Sequence, residues 1–283
     1  MSREWSFAGK SLSFKKPLIM GIINATPDSF SDGGQYLDSK AAYQQAVKLL
    51  NQGADIIDIG GESTRPFAKS ISPLQEQQRV IPLIEMIMDQ LPDTIISIDT
   101  RKPEVAKLAI EAGASIINDV SGLADPVMRH LAEAYNLPVI IMHMKGTPES
   151  MQTNVHYDDL INEIADFFES RIKLAKQDGV EKIILDPGIG FGKTVEHNLI
   201  LLANLHRFKK FNSPLLIGAS RKSFISITTG VDSRESEKLD RVTAALTGFV
   251  LADGGVDIVR VHDVQSSYHV ATMVDAIMAN REC

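Results

Sequence analysis

From Pro17 onwards, short apolar and β-branched runs alternate with longer segments of helical period, the pattern of βαβ units around a parallel sheet. Eight strands are predicted, at Leu18–Ile23, Ile56–Ile59, Ile95–Ile98, Ser115–Asn118, Val139–Met142, Ile183–Leu185, Leu215–Ile217 and Ile258–Val261. Eight helices follow them, at Ala41–Gln52, Pro73–Gln90, Pro103–Ala112, Pro126–Tyr135, Tyr157–Gln177, His197–Phe211, Asp240–Ala252 and Ser266–Ala279. Pro73, Pro103 and Pro126 stand where a first-turn proline sacrifices no hydrogen bond, and Gly53, Gly113 and Gly179 where a helix ends left-handed. Eight such pairs, with no Pro/Ser-rich linker and no internal repeat, predict a single domain with the α/β fold of a closed (β/α)8 TIM barrel. An open doubly wound sheet is the alternative. The segment Trp5–Lys16 predicts a short N-terminal hairpin that closes the bottom of the barrel.

Composition refines this only at the edges. Of 283 residues, 44% are hydrophobic and 23% charged, as in ordinary globular chains. The formal charge of −7, from 29 Lys+Arg against 36 Asp+Glu, comes without a basic block, so nucleic acid is excluded as a partner. A small anionic substrate stays open, because a few local cations outweigh distant, screened charges. The single cysteine, Cys283, allows neither an intrachain disulfide nor a cysteine-based metal site, which fits a cytoplasmic location. Met1–Ser13 lacks a basic-then-apolar signal pattern, and runs such as Leu18–Ile23 are far too short to span a membrane. The expectation is a protein neither secreted nor membrane-embedded.

In a barrel of this type the chemistry sits at the C-terminal ends of the strands, so the residues after each strand carry the information. Strand one runs into Asn24 and a loop bearing Thr26, Asp28 and Phe30; strand two into Gly60-Gly61-Glu62-Ser63-Thr64-Arg65-Pro66; strand three into Asp99-Thr100-Arg101. Then come Asn118-Asp119, His143-Met144-Lys145, Asp186 to Lys193, Gly218 to Ser223, and finally Arg260 and His262. Asp99, Asn118 and Asp186 gather on one side of this rim, and Lys222, Arg260 and His262 on another. Buried carboxylates are costly unless paired, so these groups either neutralise each other or bind a ligand with matching donors. A carboxylate accepts from two adjacent N–H groups of an amidine-like edge, and Arg and His beside Asn suit clustered anionic oxygens. A pterin diphosphate has both ends.

The Gly188–Lys193 stretch, followed by Thr194, misses G-x-x-x-x-G-K-[ST] and G-x-G-x-x-G by one residue each. Its glycines let backbone approach a flat ligand with Phe191 as an apolar wall, or simply form a tight turn. Asp58, Glu62 and His143 carry less weight. No metal-ligand spacing is present, which argues against a permanent zinc site. Met142, Met144 and Met151 suit packing, although Met142 at a strand end could meet a flat ring.

Taken in order, MGIINATPDSFSDGG, DIIDIGGESTRP, SIDTRKPEVA, IINDVSGL, MHMKGTP, LDPGIGFGK, GASRKSF and RVHDV resemble the motifs of the dihydropteroate synthase family, spread from residue 20 to 264. Phe67 departs from the small residue frequent there in the family. The resemblance implies that Asp99, Asn118 and Asp186 hold the pterin ring, with Lys222 on its carbonyl side and Met142 against its face. It implies a diphosphate site at Asn24, Arg260 and His262 that uses Mg2+, with Asn24 as the metal ligand. Thr64, Pro66, Phe191, Lys222 and Ser223 match a para-aminobenzoate pocket, and Gly218 joins the substrate contacts. Loops carrying Thr26, Asp28, Phe30 and Arg65 match segments that close over the substrates; the implied catalytic set is Asp28, Arg65, Lys222, Arg260 and His262. A homodimer through the late barrel helices and a role as a sulfonamide target are also implied. Alternatives are a pterin-binding methyltransferase module for methyltetrahydrofolate, a non-catalytic pterin-binding protein, and a Schiff-base aldolase through Lys145 or Lys222.

Overall fold

The computed structural model describes residues 4–26, 34–64, 68–153, 155–253 and 255–281, and the side chains of these except 34–38. Asp28, Phe30, Arg65, Pro66, Phe67 and Cys283 lie outside the described residues.

Strands β1 (Glu4–Phe7) and β2 (Lys10–Ser13) form an antiparallel hairpin. Eight parallel strands follow: β3 (Leu18–Asn24), β4 (Ile56–Gly60), β5 (Ile96–Asp99), β6 (Ile116–Asp119), β7 (Val139–Met142), β8 (Ile183–Asp186), β9 (Leu216–Ile217) and β10 (Ile258–Val261). Each pairs with the next in sequence, β10 pairs back onto β3, and a parallel Leu185–Leu215 bridge joins β8 to β9, so the sheet closes on itself. The helices are α1 (Gly34–Asn51), α2 (Pro73–Gln90), α3 (Pro103–Glu111), α4 (Pro126–Ala134), α5 (Leu160–Gln177), α6 (Val195–Ala203), α7 (Ser223–Thr229), α8 (Ser236–Ala252) and α9 (Val264–Ala279). This is the predicted TIM barrel with its hairpin, and the open-sheet alternative falls.

Strand alternation divides the lumen into layers. Leu18, Met20, Ile56, Ile116, Ile140, Ile184, Leu216 and Ile258 form one buried apolar cluster with Phe7 and Leu12 of the hairpin, which therefore plugs the N-terminal end. Each of these side chains contributes roughly 1.5–3 kcal/mol by leaving water. Two residues further along, where the period-2 pleat returns to the lumen, stand Asp58, Asn118, Met142, Asp186, Gly218 and Arg260. The lumen thus passes from hydrocarbon to charge within one pleat. Asp119, one step out of phase, instead binds the backbone N–H groups of Ser121 (2.7 Å) and Leu123 (3.0 Å) and shapes its own loop.

Element ends correct the sequence boundaries. Strands β3, β5 and β8 continue through Asn24, Asp99 and Asp186, because the backbone ladder is indifferent to a polar side chain that can face the lumen, and β6 continues through Asp119, whose carboxylate binds the loop that follows. The helix expected at Tyr157 starts at Leu160 behind an Asp159 cap, and Tyr157 donates its hydroxyl to the Gly192 carbonyl (2.9 Å). His197–Phe211 divides into α6, opened by a Thr194–His197 capping box, and a 3-10 segment Leu205–Phe211. The unexpected α7 follows Lys222. Gly53, Gly113 and Gly179 take the positive φ expected of helix ends.

Candidate active site

At the C-terminal mouth, the charged layer is tightly paired. Arg260 Nε donates to Asp58 Oδ2 (2.6 Å) and its Nη2 to Asp99 Oδ2 (2.8 Å), while Asn118 Nδ2 donates to Asp58 (3.2 Å to Oδ1). Asp58 is fully buried. It ranked low by sequence because it lies inside an apolar strand run, yet its i+2 position from Ile56 placed it on the lumen face. Burial would pull the Arg260 guanidinium down, but Asp58 and Asp99 more than offset this and hold it above its ordinary range. Burial, opposed by Arg260 and reinforced by Asp58, raises the Asp99 carboxyl to about 7. The guanidinium assigned to the diphosphate thus lies between two carboxylates at the level of the ring pocket. The structural-network reading and the ligand reading meet at this one group.

Asp186, buried at the end of β8, accepts from the Gly188 backbone N–H (2.8 Å). Burial raises its pKa; the Gly188 amide, Lys222, Arg260 and Lys193 work against that rise. Gly188, Gly190 and Gly192 all have positive φ, and a Cβ on Gly188 would stand 1.9 Å from the His143 carbonyl oxygen. Gly188 and Gly192 serve backbone approaching backbone, a Cβ on Gly192 standing 2.5 Å from the Lys145 carbonyl oxygen, whereas Gly190 faces the Lys222 side chain. Their polar groups are spent internally: Gly190 N–H donates to Asn198 (2.7 Å), Phe191 N–H to Gly188 (3.1 Å), and Gln152 donates to the Gly190 carbonyl (3.1 Å). These amides do not form a phosphate cradle. The loop is a braced wall.

Lys193 supplies much of the bracing. Its buried ammonium meets His143 Nδ1, the Gly188 carbonyl and the Phe191 carbonyl, each at 3.0 Å. Burial lowers Lys193 to about 7, despite Asp186, and burial with Lys193 and Lys145 nearby lowers His143 to about 2, so His143 is neutral. In the sequence Lys193 stands only as the last residue of the glycine-rich stretch, and nothing local shows that its ammonium turns inward. The braced Phe191 ring lies under the Lys222 ammonium, 3.9 Å from its centroid, and packs with Met142, Val120 and Met151 in a small apolar cluster at the mouth. A flat ligand finds hydrocarbon here beside the Asp186 carboxylate.

The remaining rim groups come from three directions. Asn24 ends β3 opposite Gly60 of β4. Thr64 follows Glu62, which accepts from Lys102 (3.0 Å), Ser70 (2.9 Å) and the Ile71 amide (2.9 Å); burial pushes the Glu62 pKa up, but these donors hold it below the ordinary range. Glu62 therefore anchors the second loop. Ser220 Oγ contacts His262 Nδ1 (2.9 Å), and Ser223 opens α7 directly after Lys222. Among the described residues, no three His, Cys, Asp or Glu side chains gather as a metal site, and no helix is long and apolar enough to cross a membrane.

Against known proteins, a family model described as pterin binding enzyme matches residues 20–262. The dihydropteroate synthase of Synechocystis is 45% identical over 268 residues, 93% of this chain and 91% of that one. The Xanthomonas albilineans dihydropteroate synthase solved with 4-aminobenzoic acid superimposes with a TM-score of 0.92 at 38% identity, covering 99% of this chain and 100% of that one. The Yersinia pestis dihydropteroate synthase in a sulfonamide drug complex gives 0.90 at 39%, covering 98% and 100%. With the charged lumen layer, the braced wall and these likenesses in hand, the chain belongs to the dihydropteroate synthase family of pterin-binding enzymes.

Proposed function

We propose that the barrel mouth binds 6-hydroxymethyl-7,8-dihydropterin diphosphate with its ring among Asp99, Asn118 and Asp186. It is a transferase: the amine of para-aminobenzoate displaces diphosphate from the pterin methylene carbon, giving 7,8-dihydropteroate. The observation that carries the residue assignment is the juxtaposition of a buried Asp186 with the Met142–Phe191 apolar patch beneath Lys222. Carboxylates accept from the ring's adjacent N–H donors, Lys222 donates to its carbonyl, and Met142 lies against its face, with Phe191 continuing the apolar patch towards the arylamine.

The arylamine is neutral at pH 7 and needs no strong base, so the protein's task is electrostatic. An electron-rich dihydropterin delocalises positive charge from the methylene carbon, and diphosphate departs before bonding to nitrogen is complete. His262 donates to the departing oxyanion, and Arg260, held by Asp58 and Asp99, supplies positive potential from below. Thr64, Phe191, Lys222 and Ser223, with the assigned Pro66, line the arylamine's approach, and Gly218 leaves room at the end of β9; Arg65 and Asp28 are assigned to the catalytic set. Asn24 would be the residue that offers Mg2+ a hard oxygen beside the diphosphate site. Such an ion would supply neutralisation of charge on the leaving group.

Diphosphate release should require para-aminobenzoate and match dihydropteroate formation one for one. Release at full rate without the arylamine would overturn transfer in favour of hydrolysis. Because Asp99 is held at about 7, it loses acceptor character as it protonates. Affinity for a phosphate-free 6-hydroxymethylpterin should therefore fall as pH drops from about 8 to about 6, and Asp99→Asn should remove that dependence. A flat calorimetric profile for the wild type would count against Asp99 as a ring acceptor.

A homodimer is the assembly this surface favours. Phe249 of α8 and Met273 and Ile277 of α9 are 56%, 63% and 60% exposed on adjacent helices, more apolar surface than water favours. Phe249→Lys should yield monomers by light scattering with the thermal midpoint of the barrel little changed; an unaltered mass would place the interface elsewhere.

A further inference from the structure

We propose that Ser220 is a positioning residue that fixes His262 as its Nε2–H tautomer, so that a neutral imidazole presents a donor to the leaving diphosphate. The second half of this statement rests on the functional reading above; the tautomer rests on geometry alone. Ser220 Oγ accepts from the His262 backbone N–H (3.2 Å) and contacts the ring Nδ1 of the same residue (2.9 Å). One oxygen thereby grips backbone and side chain together and sets the imidazole's orientation.

Proton counting decides the direction of the second contact. The amide can only donate, so it occupies one lone pair of Oγ. Ser220 is 5% exposed, and among the described residues its hydroxyl makes these two contacts. Were Nδ1 protonated, both contacts would donate to Oγ and the hydroxyl proton would be buried without an acceptor, an arrangement that folded proteins avoid. With the hydroxyl donating to Nδ1, the hydroxyl proton has an acceptor and both contacts are hydrogen bonds. Nδ1 is then an acceptor and Nε2 carries the hydrogen. His262 lies just past the end of β10, two residues beyond Arg260, at the C-terminal mouth of the barrel.

Long-range 1H–15N spectra of the histidine side chains test the tautomer in the ligand-free wild type. The expected result is an unprotonated Nδ1 and a protonated Nε2 for His262, identified by loss of the signal in His262→Ala; the reverse pattern overturns the proposal. Ser220→Ala should then mix the tautomers and weaken binding of 6-hydroxymethyl-7,8-dihydropterin diphosphate by roughly tenfold relative to the same pterin without phosphate. Ser220→Thr, which keeps the hydroxyl, should restore both the spectrum and the affinity ratio, a rescue that mere packing damage would not give. If Ser220→Ala leaves the ratio unchanged while His262→Ala lowers it, Ser220 does not act through His262 and the proposal fails. If His262→Ala itself leaves the ratio unchanged while the wild-type spectrum is as expected, the diphosphate role of His262 fails and the tautomer assignment stands.

Discussion

Replacing Arg260 with methionine should lower the thermal midpoint by about 10 °C and abolish measurable pterin binding. The side chain keeps its volume but leaves Asp58 and Asp99 buried without their shared counter-charge. Breaking a buried ion pair from one side costs about 3–5 kcal/mol, and in a chain of this size each kcal/mol shifts the midpoint by roughly 2–4 °C. The deficit should depend on pH with a definite sign. Asp99 already has a folded-state pKa raised to about 7 from an ordinary 3.8, and losing Arg260 removes the cation that opposes the rise. A group raised on folding stabilises most below its unfolded value, and that stability is lost as pH rises through the folded value. The gap between wild type and Arg260→Met should therefore narrow between pH about 8 and about 5. Adding Asp58→Asn should recover part of the loss at the higher pH. A variant that melts within about 2 °C of wild type at both pH values would refute the view of Arg260 as the keystone of the lumen layer. Arg260→Lys should be intermediate, since an ammonium cannot fork between two carboxylates.

Asp186→Asn should weaken binding of the phosphate-free pterin by roughly a hundredfold or more while leaving the melting temperature nearly intact. The asparagine oxygen can still accept from the Gly188 amide, so the turn at the end of β8 survives. Its NH2 then faces the ligand's own donors, replacing two acceptor contacts by a donor–donor encounter. Leaving buried donors unsatisfied costs about 1–3 kcal/mol each, which two contacts carry to a hundredfold. Calorimetry of the two proteins side by side decides it, and affinities within about threefold would remove Asp186 from the ring site. Asp186→Ala should lose binding too, but it also frees the Gly188 amide, so its stability loss mixes the two causes.

The two experiments concern residues that differ in how far they could be seen in advance. Asp186 announced itself: a carboxylate at the end of an apolar run, followed by Pro-Gly, at a strand's C-terminal end. Asp58 did not. It interrupts Ile56-Ile57 and Ile59 in a run that scores as hydrophobic, and only its phase relative to Ile56 hinted that it shares the lumen with Asn118 and Arg260. Lys193 and Ser220 were legible only as members of motifs, because what they bind is backbone carbonyl and a histidine ring from other loops. The helix ends were misjudged where side chains outcompete helical backbone: Asp159 caps α5 and frees Tyr157 for Gly192.

By itself, then, the sequence determined the alternation of strand and helix, their order, and the polar residues that end each strand, since pleat, helical period and turn chemistry are set within a few neighbouring residues. The resemblance of its loops to one family named the second substrate. What only the tertiary structure decided is which of those polar groups meet. Arg260 reaches Asp58 across 202 positions of sequence and Asp99 across 161, and Lys193 reaches His143 across 50. Such pairings follow from ring closure and from the depth at which each side chain enters a shared low-dielectric lumen, quantities that exist only once all eight strands are in place.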